Sequence, residues 1–88
     1  MASAYEIVLH PRVERELNQV PPDIFPEIDR VIQGLRGNPR PFGVKKLDKE
    51  LHRVRIQKWR IIYAIFDREK RIVILRVVRR SERTYKDL

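Results

Sequence analysis

The chain has 88 residues, 42% of them hydrophobic and 36% charged, which suits one small domain over residues 1–88 with a modest core and an ionised exterior. It holds no cysteine and two histidines, so disulfide frameworks and thiolate zinc sites are excluded, and two histidines alone do not complete a four-ligand metal site. Twenty Lys and Arg against twelve Asp and Glu give a net charge of +8, which makes a polyanion or an acidic protein the default partner. The charge is unevenly placed: residues 1–44 carry five basic and six acidic side chains, and residues 45–88 carry fifteen and six. No apolar run approaches the ~20 residues of a membrane span. The first residues, Met1 to Glu6, lack the basic and apolar regions of a signal peptide. The expectation is a cytoplasmic protein with no membrane partner.

In chain order, Tyr5 to Leu9 is a β-rich run, and the His10-Pro11 step sets a proline where a first helical turn tolerates it. His10 reads as a helix-start residue. From Pro11 to Gln19, Val13 and Leu17 stand four apart, Glu14 and Glu16 lie toward the positive end of the helix dipole, and Val20-Pro21-Pro22 ends the segment. A second helix follows from Ile24, Ile28, Val31, Ile32 and Leu35 at helical spacing, with Asp23 as the expected cap and Gly37-Asn38-Pro39 as a left-handed stop. The two should form an antiparallel pair sharing one apolar face.

Asn38 to Gly43 reads as a connector. Beyond it, Leu51 to Gln57 alternates, with Val54 and Ile56 on one side and Arg53 and Arg55 on the other. Lys58 to Phe66 is a near-continuous β-branched and aromatic run, as expected of a central strand covered on both faces. Asp67 to Lys70 is a polar hairpin loop, Arg71 to Val78 a further strand, and Ser81 to Leu88 a polar tail with at most one helical turn. The order β-α-α-β-β-β gives an α+β fold, a helical hairpin packed on a small antiparallel sheet. Which later strand receives the first one is open.

Several chemistries are absent. Three scattered glycines make no phosphate loop, no GxSxG elbow occurs, and the acidic residues of the second half lie in loops or the tail beside Lys or Arg. The unusual feature is arginine on strands: Arg53 and Arg55 on one face, Arg60 opening the next strand, Arg76 within the last, Arg79 and Arg80 ending it, with Arg83 and Tyr85 beyond. A solvated sheet face explains any single one. Five or more converging on one face point to nucleic acid, where guanidinium forks hold phosphates and an aromatic ring stacks on a base.

Leu51-His52-Arg53-Val54-Arg55-Ile56, then Trp59-Arg60-Ile61-Ile62-Tyr63, then Ile74-Leu75-Arg76-Val77-Val78-Arg79-Arg80 and a final Tyr85 closely resemble the RelE toxins of the RelE/ParE superfamily. The resemblance spans nearly the whole chain. It implies a metal-independent endoribonuclease without cofactor, entering the ribosomal A site to cut mRNA and silenced by a cognate acidic, RelB-like antitoxin. Its implied partners are mRNA, the 70S ribosome with its rRNA, and that antitoxin, with a monomer when free and a hetero-oligomer when bound. By position, the resemblance assigns catalytic roles to Arg55, Arg60, Arg80 and Tyr85. Arg53, Lys58, Arg76, Arg79 and Arg83 are the expected RNA-binding residues, and Arg83 is the alternative to Arg80.

Cleavage by the RNA's own 2′-hydroxyl requires that group deprotonated and in line, charge on the phosphorane stabilised, and the departing 5′-oxygen protonated. Clustered arginines meet the second requirement. They do not meet the first, because arginine's pKa stays above about 12, and many family members have lysines where this chain has Arg53 and Arg55. His52 and Lys58 are the nearby titratable residues; His52 has the opposite strand parity from Arg53 and reads as a core-edge or solvent residue. Trp59 and Tyr63 share a face with Ile61 and read as core. Two alternatives stand beside the nuclease: a ParE-like inhibitor of DNA gyrase, and a catalytically weak relative that only binds its antitoxin.

Overall fold

The computed structural model describes residues 4–79. Strand β1 (Glu6–Leu9) leads into helix α1 (Pro11–Asn18), followed by α2 (Phe25–Gly34), β2 (Lys45–Lys46), β3 (Leu51–Ile56), β4 (Trp59–Phe66) and β5 (Arg71–Arg79). His10 is the N-cap of α1: its Nδ1 accepts from the Arg12 backbone N–H and from Arg12 Nε, both at 3.2 Å. Pro11 sits where no intrahelical donor is needed. Helix α2 starts at Ile24 without a side-chain cap, so the expected role of Asp23 is not taken up. It ends without a left-handed residue, because Arg36, Gly37 and Asn38 keep donating to carbonyls of the last turn until Pro39, which has no N–H to continue.

The sheet order is β1-β5-β4-β3-β2. Strands β3, β4 and β5 form the expected antiparallel meander. The sheet as a whole is mixed rather than antiparallel, since β1 pairs parallel with β5, Glu6 opposite Arg71 through Leu9 opposite Ile74. The helices are the reason. They carry the chain back to the end where β1 began, fixed by the Tyr5 N–H to Arg36 carbonyl bond of 2.9 Å, and β3 and β5 then run in the same sense as β1. The second edge strand, β2, went unread in the sequence; Lys45 and Lys46 pair antiparallel with Arg53 and His52.

The core lies between helices and sheet. Val13, Val20, Ile24, Ile28, Ile32 and Leu35 meet Val54, Ile56, Ile61, Tyr63, Ile65, Ile72, Ile74 and Val77. Burying each such side chain contributes roughly 1.5–3 kcal/mol. Residues 61–65 of β4 are all buried, as a strand covered on both faces requires. Tyr63 satisfies its hydroxyl by donating to the Pro39 carbonyl at 2.7 Å, which ties the connector to the sheet. Burial pushes its phenol pKa up.

At the same end, Asp67 joins three segments. Its carboxylate takes two bonds from Arg40 (2.8 and 3.3 Å) and one from the Tyr5 hydroxyl (2.6 Å), while the Lys70 ammonium lies 4.9 Å from the Tyr5 ring centre. The Arg40 and Tyr5 hydrogen bonds hold the Asp67 carboxyl at about 2, and the bond to Asp67 raises the Tyr5 phenol.

Candidate nucleic-acid interface

Register decides which basic side chains share a face. Across β3 and β4, Arg53 stands opposite Ile62 and Arg55 opposite Arg60. Directly opposed residues of an antiparallel pair point to the same side of the sheet, with Cβ atoms about 4.5–5.5 Å apart. Arg53, Arg55 and Arg60 therefore occupy the face away from Val54, Ile56, Ile61 and Tyr63, as the alternation in β3 predicted. Arg55 is exposed, whereas Arg53 and Arg60 are 8% and 6% exposed. Both are buried down to the guanidinium Nε, so Arg55 is the exposed member of the three.

A β-bulge completes the face. The register of β4 against β5 shifts between Ile62 and Tyr63, from Arg76 opposite Ile62 to Ile74 opposite Tyr63, leaving Leu75 as the extra residue. The shift reverses side-chain parity along β5: Ile72 and Ile74 point to the core before it, and Val77 after it. Arg76 thereby falls on the arginine side, in one row with Ile62 and Arg53. Arg79 falls on the other side, opposite Trp59, with its guanidinium 5.9 Å from the centre of that ring, within the range of a cation–π contact. Lys58 is exposed in the two-residue turn between β3 and β4.

Of the expected RNA-binding residues, then, Arg53 lies with Arg55 and Arg60, Arg76 shares their side by register but turns its guanidinium to Glu16 of α1, and Arg79 and Lys58 lie elsewhere. Arg80, Arg83 and Tyr85 lie outside the described residues, as does the expected tail turn.

Arg76 is also committed within the fold. Its Nε donates to Glu16 Oε2 at 2.7 Å, and Glu16 Oε1 accepts the Val77 backbone N–H at 2.7 Å. Strand β1 ends opposite Ile74, so beyond that point the β5 edge needs another acceptor, and a side chain of α1 supplies it. A cleft of about 320 Å³ opens beside this contact, lined by Glu16, Gln19, Trp59, Arg76 and Arg79 among others.

His52 belongs to the opposite face. It is buried, stands opposite Tyr63 with ring centres 5.9 Å apart, and its Nδ1 lies 2.7 Å from the Glu50 carbonyl, an acceptor only, so Nδ1 carries the proton. It does not reach the arginine side. The basic residue on that side missed from the sequence is Lys45, opposite Arg53 on β2. Two lysines between a connector and a turn carry no periodicity, and only pairing reveals the strand. Among the described residues, no group of three or more His, Cys, Asp or Glu could hold a metal ion, and no helix is long and apolar enough to cross a membrane.

The family model described as ParE toxin of type II toxin-antitoxin system, parDE, matches residues 7–84. A protein of Methanocaldococcus jannaschii named "Putative toxin RelE1" is 34% identical, with 94% of this chain and 97% of that protein covered. The archaeal RelE–RelB complex from Pyrococcus horikoshii OT3 superimposes with a TM-score of 0.82 at 27% identity, over 90% of this chain and 98% of that one. The toxin–antitoxin complex RelBE2 from Mycobacterium tuberculosis gives 0.75 at 26% identity, over 88% and 99%. The isolated Escherichia coli RelE toxin shares the fold, at a TM-score of 0.77 and 17% identity over 96% and 94%. With the match to the toxin model over most of its length and the relative at 34% identity, the chain belongs to the RelE family of the RelE/ParE superfamily of type II toxin–antitoxin toxins.

Proposed function

We propose that this chain is a ribosome-dependent endoribonuclease that cuts mRNA codons in the A site without a metal, by attack of the 2′-hydroxyl on the adjacent phosphate. The observation that carries the reading is the direct opposition of Arg55 and Arg60 on neighbouring strands, with Arg53 two residues away on the same face. Two guanidinium groups in register on neighbouring strands stand close enough to address one phosphate with planar donors. A phosphorane gains charge in the transition state, and preorganised guanidinium donors stabilise it more than the ground state.

In this reading Arg55 and Arg60 grip the scissile phosphate, Arg53 holds a neighbouring one, the 2′-hydroxyl proton passes to water as the O–P bond forms, Arg80 protonates the departing 5′-oxygen as the P–O bond breaks, and Tyr85 stacks on a base. Arg76, bound to Glu16, braces the edge of the face, its charge balanced by that carboxylate. The excess positive charge of residues 45–88 suits rRNA, with binding that falls steeply with salt. It also suits an acidic RelB-like antitoxin, the kind of partner named in the complexes from Pyrococcus horikoshii and Mycobacterium tuberculosis. Residues 1–88 act as one toxin domain in the cytoplasm, a monomer until the antitoxin binds.

One observation favours a second reading, inhibition of DNA gyrase: the matching family model is that of ParE toxins. Two assays on the purified chain separate the readings. Primer extension on ribosome-bound mRNA should show new 5′ ends at A-site codons, and gyrase supercoiling should be unaffected. Intact mRNA with blocked supercoiling would establish the gyrase reading instead, and failure of both, without growth arrest on expression, would leave an antitoxin-binding relative.

A further inference from the structure

We propose that Lys45 is a substrate-positioning residue of the arginine face, contacting the RNA backbone one strand further out than Arg53; this rests on the endoribonuclease reading. Strand β2 is two residues long, and its register puts Lys45 directly opposite Arg53 and Lys46 directly opposite His52. Alternation then separates two adjacent lysines by function. Lys45 shares its side of the sheet with Arg53, Arg55 and Arg60, while Lys46 shares its side with His52 and Tyr63.

With strands about 4.8 Å apart, Lys45, Arg53 and Arg76 form a row across β2, β3, β4 and β5, interrupted only by Ile62 on β4. Arg55 and Arg60 form the next row along the strands. The arginine side is therefore a two-row surface whose open end is β2. Lys45 is exposed, and an ammonium on a flexible stem suits a mobile phosphate as a point charge, where the arginine pair suits a planar two-point grip. Lysines also guard sheet edges against pairing with other chains. That role makes Lys45 and Lys46 equivalent; the substrate role does not.

The test compares Lys45→Ala, Lys46→Ala and Lys45→Arg in the full chain. Binding is measured on ribosomes programmed with mRNA whose cleavage-site ribose is 2′-deoxy, and kcat and KM are measured on the normal mRNA. Lys45→Ala should weaken binding about 5-fold and flatten the dependence of log affinity on log salt by about 0.7, the effect of one lost contact to a single strand. It should raise KM with kcat within 2-fold of wild type. Lys46→Ala should match wild type, and Lys45→Arg should restore binding. Equal behaviour of the two alanine variants overturns the proposal. So does a loss of kcat in Lys45→Arg at unchanged KM, which would mark a proton-transfer role. Wild-type protein that leaves normal mRNA intact overturns the endoribonuclease reading itself, an outcome distinct from either.

Discussion

Replacing Glu16 by alanine should destabilise the protein far more than a helix-surface substitution does. The carboxylate accepts two 2.7 Å bonds, from Arg76 Nε and from the Val77 backbone N–H, and the ion pair is mostly buried, with 16% of the Glu16 side chain and 22% of the Arg76 side chain exposed. A hydrogen bond to a charged group contributes about 1.5–3 kcal/mol, and a backbone N–H left without its acceptor at a half-buried edge costs about 1–3 kcal/mol. Because both bonds share one carboxylate, which is itself desolvated by folding, the two figures do not add in full, and a net loss of about 3 kcal/mol is expected. For a domain of this size that lowers Tm by about 12–24 °C. Glu16→Gln should lose about half as much, since its carbonyl still accepts from Val77 while its amide opposes the Arg76 donor. Urea denaturation of wild type, both Glu16 variants, Arg76→Ala and the Glu16→Ala/Arg76→Ala double variant gives the coupling, expected at about 1 kcal/mol or more. A Glu16→Ala variant within about 0.5 kcal/mol of wild type would refute the assignment of Glu16 as the acceptor that closes the β5 edge.

Two further outcomes follow from the other end of the molecule. Because the Asp67 carboxyl is held at about 2, below its ordinary 3.8, its contribution to stability is present above pH ~4 and is lost as pH falls through about 2; the Tm difference between wild type and Asp67→Asn should therefore be largest near pH 5 and shrink toward pH 2. A gap that stays constant over that range would contradict the Arg40–Asp67–Tyr5 contact. Tyr63→Phe should cost about 1–2 kcal/mol in urea denaturation, because the Pro39 carbonyl loses its 2.7 Å donor at a partly buried site; a neutral result would show that carbonyl satisfied by other means.

Much of the fold was legible because each core-forming segment has a period. Ile24, Ile28, Ile32 and Leu35 repeat at helical spacing, and Val54 and Ile56 alternate with Arg53 and Arg55; their burial follows both patterns. The shared side of Arg53 and Arg55 follows from parity, and the tight hairpin after them brings Arg60 to the same side. Strand β5 was different. Arg71 to Arg79 is apolar on both parities, so no alternation betrays the bulge at Leu75, and the separation of Arg76 from Arg79 became visible only through pairing with β4. The Glu16–Arg76 pair spans 60 residues, a distance over which local pattern is silent. Edge strand β2 has no apolar residue to mark it, and the parallel addition of β1 depends on where the helices return the chain. In each case the missing information was a long-range pairing, and each bears on the site: the bulge assigns Arg76 and Arg79 to different faces, and β2 brings Lys45 to the arginines.

The most direct test of the arginine face is the rate of mRNA cleavage by Arg55→Ala on programmed ribosomes, measured in single turnover beside Arg60→Lys. Arg55 is exposed, so its removal should leave Tm within a few degrees of wild type. Loss of one donor preorganised toward the developing charge should lower the cleavage rate about 10²–10³-fold. Arg60→Lys keeps the charge but not the planar fork, and should also be slow. Cleavage by a folded Arg55→Ala variant at the wild-type rate would contradict a catalytic role for the opposed arginines.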